Sequence, residues 1–172
     1  MKKNIGLLLL LMFAAVSFYT CGEEPIQGCT NEEAENYNPE AEENDGNCIF
    51  ARDKFIGEFS GTLLCGTPLP PMAEFTMVIS EGLSGNNDVQ IEFKDTDNPL
   101  PILDGTAEGN LITVQEASYQ IALNPDAPEI TTEVLMSGTA EISEDGNSIT
   151  GTISATVVPF PIPVTCTFTA TR

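Results

Sequence analysis

Histidine and tryptophan are both absent from this chain, and only six of its residues are basic. Without an imidazole there is no Ser-His relay, no neutral-pH base of the commonest kind and no ordinary zinc site. No glycine-rich loop closed by a lysine is present to cradle a phosphate. Against the six Lys and Arg stand 26 acidic residues, a formal charge of −20. That balance excludes nucleic acid as a partner, because a phosphate backbone is gripped by clustered positive charge. What remains of catalysis is a carboxylate pair, the chemistry of glycoside hydrolysis. Among so many Asp and Glu no pair stands apart, and Asp104, Glu108 and Glu141 read as solvated positions on strand faces. The chain is expected to be non-catalytic, with a carboxylate-dependent glycan hydrolase as the lesser alternative.

Long apolar runs are equally scarce. One follows Lys2 and Lys3, from Ile5 to Val16, and gives way to the short polar stretch Ser17 to Thr20. This is the layout of a signal peptide over residues 1–20. The run is about a dozen residues, short of the roughly 20 that a membrane-spanning helix needs. The segment closes on Phe18-Tyr19-Thr20-Cys21-Gly22, which resembles a bacterial lipobox. The resemblance implies cleavage before Cys21 and acylation there, by a palmitate-type chain, as the membrane anchor. Gly22-Glu23-Glu24 after it is similar to the acidic signal that some Gram-negative bacteria place behind the lipidated cysteine. That implies the outer membrane with display on the cell surface; the periplasmic face is the alternative. Without residues 1–20, four basic residues face 26 acidic ones, a formal charge near −22.

Five cysteines in an exported chain leave one unpaired or modified, and Cys21 is the natural odd one. Cys29, Cys48, Cys65 and Cys166 can pair in three ways. Proximity and composition favour Cys29 with Cys48 and Cys65 with Cys166, in an oxidising compartment that permits both.

After a tether over 21–28, the segment 29–48 is acidic and free of basic residues. Its frame, Gly28-Cys29-Thr30-Asn31, then Asn36-Tyr37-Asn38-Pro39, then Asp45-Gly46-Asn47-Cys48, resembles a short cysteine-bracketed module of bacterial surface proteins. Oxygen donors at Asn31, Asn38, Glu40, Asn44, Asp45 and Asn47 make calcium a candidate ligand, since Ca²⁺ takes six to eight oxygens. The spacing is not that of an EF-hand. The competing reading is a disulfide-closed spacer whose Asn and Asp side chains satisfy their own turns, with Asp45-Gly46 as a tight turn.

From residue 53 to 172 the pattern alternates apolar and polar, the period of half-buried strands. Strands are expected near 55–65, 74–81, 88–94, 102–108, 111–123, 130–143, 148–157 and 164–171. The links alternate in kind. Those from Gly66 to Ala73, Asp95 to Pro101, Asn124 to Glu129 and Pro159 to Pro163 all contain proline. Those at Gly82–Asn87, Gly109–Asn110 and Glu144–Asn147 are glycine and asparagine turns suited to hairpins. In an up-and-down sheet the two kinds fall at opposite ends. Cys65 and Cys166 both fall on the inward phase at the proline end, so a bridge between them would bring the first and last strands together. Closure into an eight-stranded antiparallel barrel accounts for this, with a β-sandwich as the alternative.

Phe55-Ile56-Gly57-Glu58-Phe59 stands where lipocalin-like barrels of bacterial lipoproteins open with a Gly-x-aromatic strand, and the domain resembles them. The resemblance implies a ligand-holding or recognition scaffold. Inward Gly138, Ala140, Gly151 and Ala155 leave either a cavity or room for larger side chains opposite, and the filled core is favoured. Leu69, Met72, Leu100, Phe160 and Ile162 are apolar residues of the proline links, and they are the candidate contacts for an unknown small molecule or protein. The first strand enters from the glycine-turn end, so the proline links should face away from the membrane.

Overall fold

The computed structural model describes residues 24–66, 74–94, 101–122, 131–158 and 160–172, with the side chains of 122 and 160–162 outside that description. Residues 1–23, including Cys21, and Leu69, Met72 and Leu100 lie outside the described residues, as do the side chains of Phe160 and Ile162.

The acidic segment comes first. It holds two short parallel strands, β1 (Gln27–Gly28) and β2 (Glu43–Asn44), and a Cys29–Cys48 disulfide closes it. Its loops are built from Asx turns, in which a short side-chain oxygen accepts the N–H two residues on. Asn31 Oδ1 takes Glu33 N–H, Asn38 takes Glu40, Asn44 takes Gly46 and Asp45 takes Asn47, all at 2.9–3.0 Å.

Eight further strands follow a 3₁₀ turn at Ala51–Lys54: β3 (Gly57–Cys65), β4 (Phe75–Glu81), β5 (Asp88–Lys94), β6 (Leu103–Glu108), β7 (Leu111–Ala122), β8 (Thr131–Ile142), β9 (Ser148–Val157) and β10 (Phe160–Thr171). They form one closed barrel in the order β10-β3-β4-β5-β6-β7-β8-β9, every neighbour antiparallel. Closure leaves no free sheet edge and removes the sandwich alternative. The closing seam joins β10 to β3. Cys166 there stands opposite Cys65 in register, and the two are disulfide-bonded.

Alternation sets the wall. On β5, Val89, Ile91 and Phe93 are buried while Glu92 and Lys94 are exposed. On β10, buried Cys166, Phe168 and Ala170 alternate with exposed Thr165, Thr167, Thr169 and Thr171. Apolar in and polar out is the reverse of a lipid-embedded barrel. Inside, Phe75 packs against Phe93 at 5.7 Å and edge-on to Phe168 at 6.0 Å between ring centroids. Phe55 and Phe59, both 0% exposed, fill the end where the 3₁₀ turn lies.

Three expectations need correction. The first barrel strand starts at Gly57 instead of 55, because Phe55 closes the 3₁₀ turn Ala51–Lys54, in which the Asp53 carboxylate accepts the Phe50 N–H at 3.0 Å and curls the chain. The last strand starts at Phe160 instead of 164, so the Pro159–Pro163 link is largely strand. Alternation puts Pro163 on the same side as Thr165, whose carbonyl accepts the Gly66 N–H where β3 runs out. Its missing N–H therefore faces a position with no ladder partner, which is where a strand tolerates proline. Finally, β7 is interrupted: its pairing with β8 slips between Val114 and Ala117, so that Gln115 and Glu116 oppose Ser137 alone. This bulge flips the phase, from inward Ile112 and Val114 to inward Tyr119 and Ile121.

Candidate binding surfaces

The interior is filled. A residual void of about 20 Å³ lies between Met77, Ile91, Val114, Gly138 and Phe168, room for about one water. The reason is visible at the inward glycines: Phe168 lies opposite Gly151, and a Cβ on Gly151 would stand 2.6 Å from the Phe168 ring. Gly151 thus makes room for the Phe168 ring and the Thr139 carbonyl, and Gly138 for the Thr152 carbonyl of the neighbouring strand, instead of a ligand.

At the turn end the acidic module is pinned to the barrel. Asn87 is the joint: its side chain donates to the Glu33 carbonyl at 3.1 Å and accepts Ala51 N–H at 2.9 Å, and its carbonyl takes Ala107 N–H at 2.8 Å. The Asn86 amide reaches the Glu33 carboxylate, and Lys54 pairs with Glu35 at 2.6 Å. Arg172 adds a clamp, donating to the Lys54 and Ile56 carbonyls and lying 4.9 Å over the Phe59 ring. Three of the four basic residues after position 20, Arg52, Lys54 and Arg172, therefore serve this end. Each exposed pair is worth at most about 1 kcal/mol.

The six calcium candidates are gathered in the module. Asn31, Asn38, Asn44 and Asp45 point their oxygens at their own turns, as the spacer reading expects. Among the described residues no group of three or more Asp, Glu, Cys or His side chains is placed to hold a metal ion. The tripeptide Asp-Gly-Asn recurs in the β8–β9 turn, where Asp145 Oδ1 accepts Asn147 N–H at 3.1 Å and Gly146 has φ 72°, against 77° at Gly46. The Ser143 hydroxyl, donating to Asp145 at 2.6 Å, together with Asn147, holds the Asp145 carboxyl below its ordinary pKa.

At the opposite, proline-link end, three described apolar residues are exposed: Leu64 at 63%, Ile102 at 50% and Val158 at 44%. They come from the end of β3, the approach to β6 and the exit from β9. The reading from sequence passed over all three, although each borders a proline link on its own strand's outward phase or just beyond it.

A groove of about 390 Å³ crosses the outer wall at β5, β6 and β7. It exists because the β6–β7 ladder has only three registered pairs, ending at Thr106 and Thr113, after which the bulge carries β7 away. Asp88, Asp104, Gln115 and Tyr119 line it, with Leu83 of the β4–β5 turn at one side. Tyr119 closes the seam, packed partly against the core with its phenol at the Asp104 backbone N–H. Burial, and then the Asp104 carboxylate, push this phenol above its ordinary pKa, while the hydrogen bond from the backbone works the other way. The phase switch in Ile112-Thr113-Val114 to Tyr119-Gln120-Ile121 was the sequence signal for this break.

Fold and surface together define a closed, side-chain-filled β-barrel capped by a disulfide-bracketed acidic module. No protein-family model and no curated protein sequence matches the chain. Among solved structures it is similar to the crystal structure of a protein of unknown function from the DUF3598 family of Nostoc punctiforme. The identity is 12% and the TM-score 0.45, over 70% of this chain and 48% of that one, so the chain spans about half of that protein's length.

Proposed function

We propose that this protein is a lipoprotein of the outer membrane, displayed on the cell surface through a lipid on Cys21, that acts without catalysis by contacting a partner macromolecule with the proline-link end of its barrel. The filled interior carries the reading: with about 20 Å³ free, the barrel has no room to carry a small molecule, whose pockets run to roughly 300–1,000 Å³. Of the two roles that the lipocalin-like resemblance implies, recognition is the one supported. The acidic module, which leads back to Cys21, occupies the turn end, so the end bearing Leu64, Ile102 and Val158 faces outward.

Two measurements test this. Alkyne-palmitate fed to the producing cells should label the wild type and not Cys21→Ala, and protease added to intact cells should remove the protein. A photo-crosslinker placed at Ile102 should give a discrete adduct on intact cells, and one at Glu144 of the turn end none. A protein that escapes both label and protease, or that crosslinks equally from both ends, contradicts the reading.

A further inference from the structure

We propose that the groove across β5, β6 and β7 is a glycan-binding site, in which Asp88, Asp104 and Gln115 hydrogen-bond the hydroxyls of a neutral sugar chain while Tyr119 and Leu83 meet its apolar faces. The site is separate from the exposed apolar rim at the proline-link end.

The chemistry of the groove narrows its ligand. No Lys or Arg lines it, so phosphate, sulfate and carboxylate groups are repelled. Two carboxylates, an amide and the Thr106 and Thr113 hydroxyls make it too polar for an acyl chain or an apolar peptide. What these groups already hold is neutral: the Gln90 amide donates to Asp104 at 3.1 Å and the Thr106 hydroxyl to Asp88 at 3.4 Å. Ligand hydroxyls are donors of the same kind, and a carboxylate oxygen accepts them with charge-assisted strength.

Spacing fits as well. Asp88 stands opposite Thr106, and Asp104 opposite Gln90, so the two aspartates are diagonal neighbours on adjacent strands. Diagonal neighbours stand about 7–8 Å apart, with their Cβ atoms somewhat closer, wide enough to bracket a sugar ring. Among the described residues no further acidic side chain joins them in a metal cluster. A partly buried aromatic and a leucine that is 87% exposed supply the apolar surface that the C–H face of a pyranose requires. The volume, about 390 Å³, lies in the range of sites for molecules of one or two sugar units. Being a groove on a wall, it admits a segment of a longer chain.

The protein carries its own probe. It has no tryptophan and three tyrosines, Tyr19 in the leader, Tyr37 in the module and Tyr119 in the groove. The full chain, extracted in mild detergent, is titrated with neutral hexasaccharides of β-1,4-linked glucose, xylose and mannose and of α-1,6-linked glucose, with poly-lysine as the cationic control. At least one hexasaccharide should perturb the tyrosine ultraviolet band, and Tyr119→Phe should abolish that perturbation. Calorimetry should show the same ligand binding about tenfold or more weakly to Asp88→Ala and to Asp104→Ala, the loss expected for a hydrogen bond to a charged acceptor. Both positions are on the exposed face, and an unchanged thermal transition confirms that the variants fold. The proposal is overturned if no hexasaccharide gives a Tyr119-dependent signal, if affinity is the same in both aspartate variants, or if poly-lysine competes for the groove more tightly than any sugar.

Discussion

The two sides of the barrel wall are built differently. On one side β9 and β10 share a ladder that runs from Ser148–Thr171 to Val157–Phe160, β10 pairs with β3 over six registered residues, and a disulfide locks that seam. Its outward positions on β9 and β10 are Ser148, Thr150, Thr152, Ser154 and Thr156, then Thr165, Thr167, Thr169 and Thr171, without one charge in a chain with 26 acidic residues. On the other side β6 and β7 share three pairs, a bulge follows, and the exposed face carries Asp88, Glu92, Lys94, Asp104 and Glu108. Threonine is the exposed residue that a regular strand favours, since its β-branch suits the pleat and its hydroxyl keeps the surface wet. On β9 and β10 the surface is set by strand formation. Where the ladder breaks, polar groups of several kinds collect around a groove. Function on this barrel should therefore be sought where regularity fails.

The largest effect is expected at the locked seam. Cys65 and Cys166 are 101 residues apart. A bridge over such a loop is worth about 4.7 kcal/mol by the chain-entropy estimate. Replacing both by Ala should lower the unfolding free energy by roughly 2–5 kcal/mol, measured by urea titration at neutral pH. A loss below about 1 kcal/mol would mean that the six registered pairs hold the seam unaided and that the contrast between the walls is not one of strength.

Next comes Gly151, on the same wall. A side chain there meets the Thr139 carbonyl oxygen first and then the Phe168 ring, so Gly151→Val should cost about 1–3 kcal/mol or more through overpacking. Shortening the ring relieves its share of the clash and leaves that with the Thr139 carbonyl: Phe168→Leu should cost less in the Gly151→Val background than in the wild type. Additive costs in the double-mutant cycle would separate the two positions energetically and remove the account of the filled interior.

A smaller effect belongs to the broken seam. The Tyr119 phenol is raised first by burial and then by the Asp104 carboxylate, so folding favours its neutral form. The stabilising contribution is complete below the ordinary phenol value and is lost as pH rises through the raised one. Asp104→Asn removes the carboxylate and should bring the Tyr119 titration down towards the ordinary value, read from the tyrosinate absorbance. A midpoint that moves up or stays fixed would separate Tyr119 from Asp104 and open the seam that the phenol is taken to close.

Much of this architecture is legible in the chain because alternation is a local signal. Val89, Ile91 and Phe93 mark β5 without reference to any other strand, and the inward phase of Cys65 and Cys166 points to their bridge. What escapes depends on register. That Phe168 lies over Gly151 follows only once β9 and β10 are aligned, so the small inward residues favour a filled core without showing which side chain fills it. The β7 bulge does show locally, as a switch from even to odd apolar positions after Val114, but an unbroken run of strand formers hides it. The module's attachment escapes altogether, because it rests on the Asn87 contacts with Glu33 and Ala51, 54 and 36 residues away.

The smallest expected effect separates the module from the β8–β9 hairpin turn by asking what their acidic side chains are for. Asp45 and Asp145 sit in the same tripeptide, each accepting the Asn N–H two residues on, at 2.9 and 3.1 Å, before a glycine with φ near 75°. One belongs to the proposed calcium ligands and the other to an ordinary hairpin turn, yet the geometry is the same. Such a turn is complete without a cation, since the backbone donor already satisfies the oxygen. Saturating EDTA, and then excess Ca²⁺, should leave the thermal transition of the module unchanged, followed by Tyr37 absorbance. A rise of more than a few degrees on adding Ca²⁺ would show that Asn31, Asn38, Glu40, Asn44, Asp45 and Asn47 converge on an ion after all, at a cost to the turns that now hold them apart.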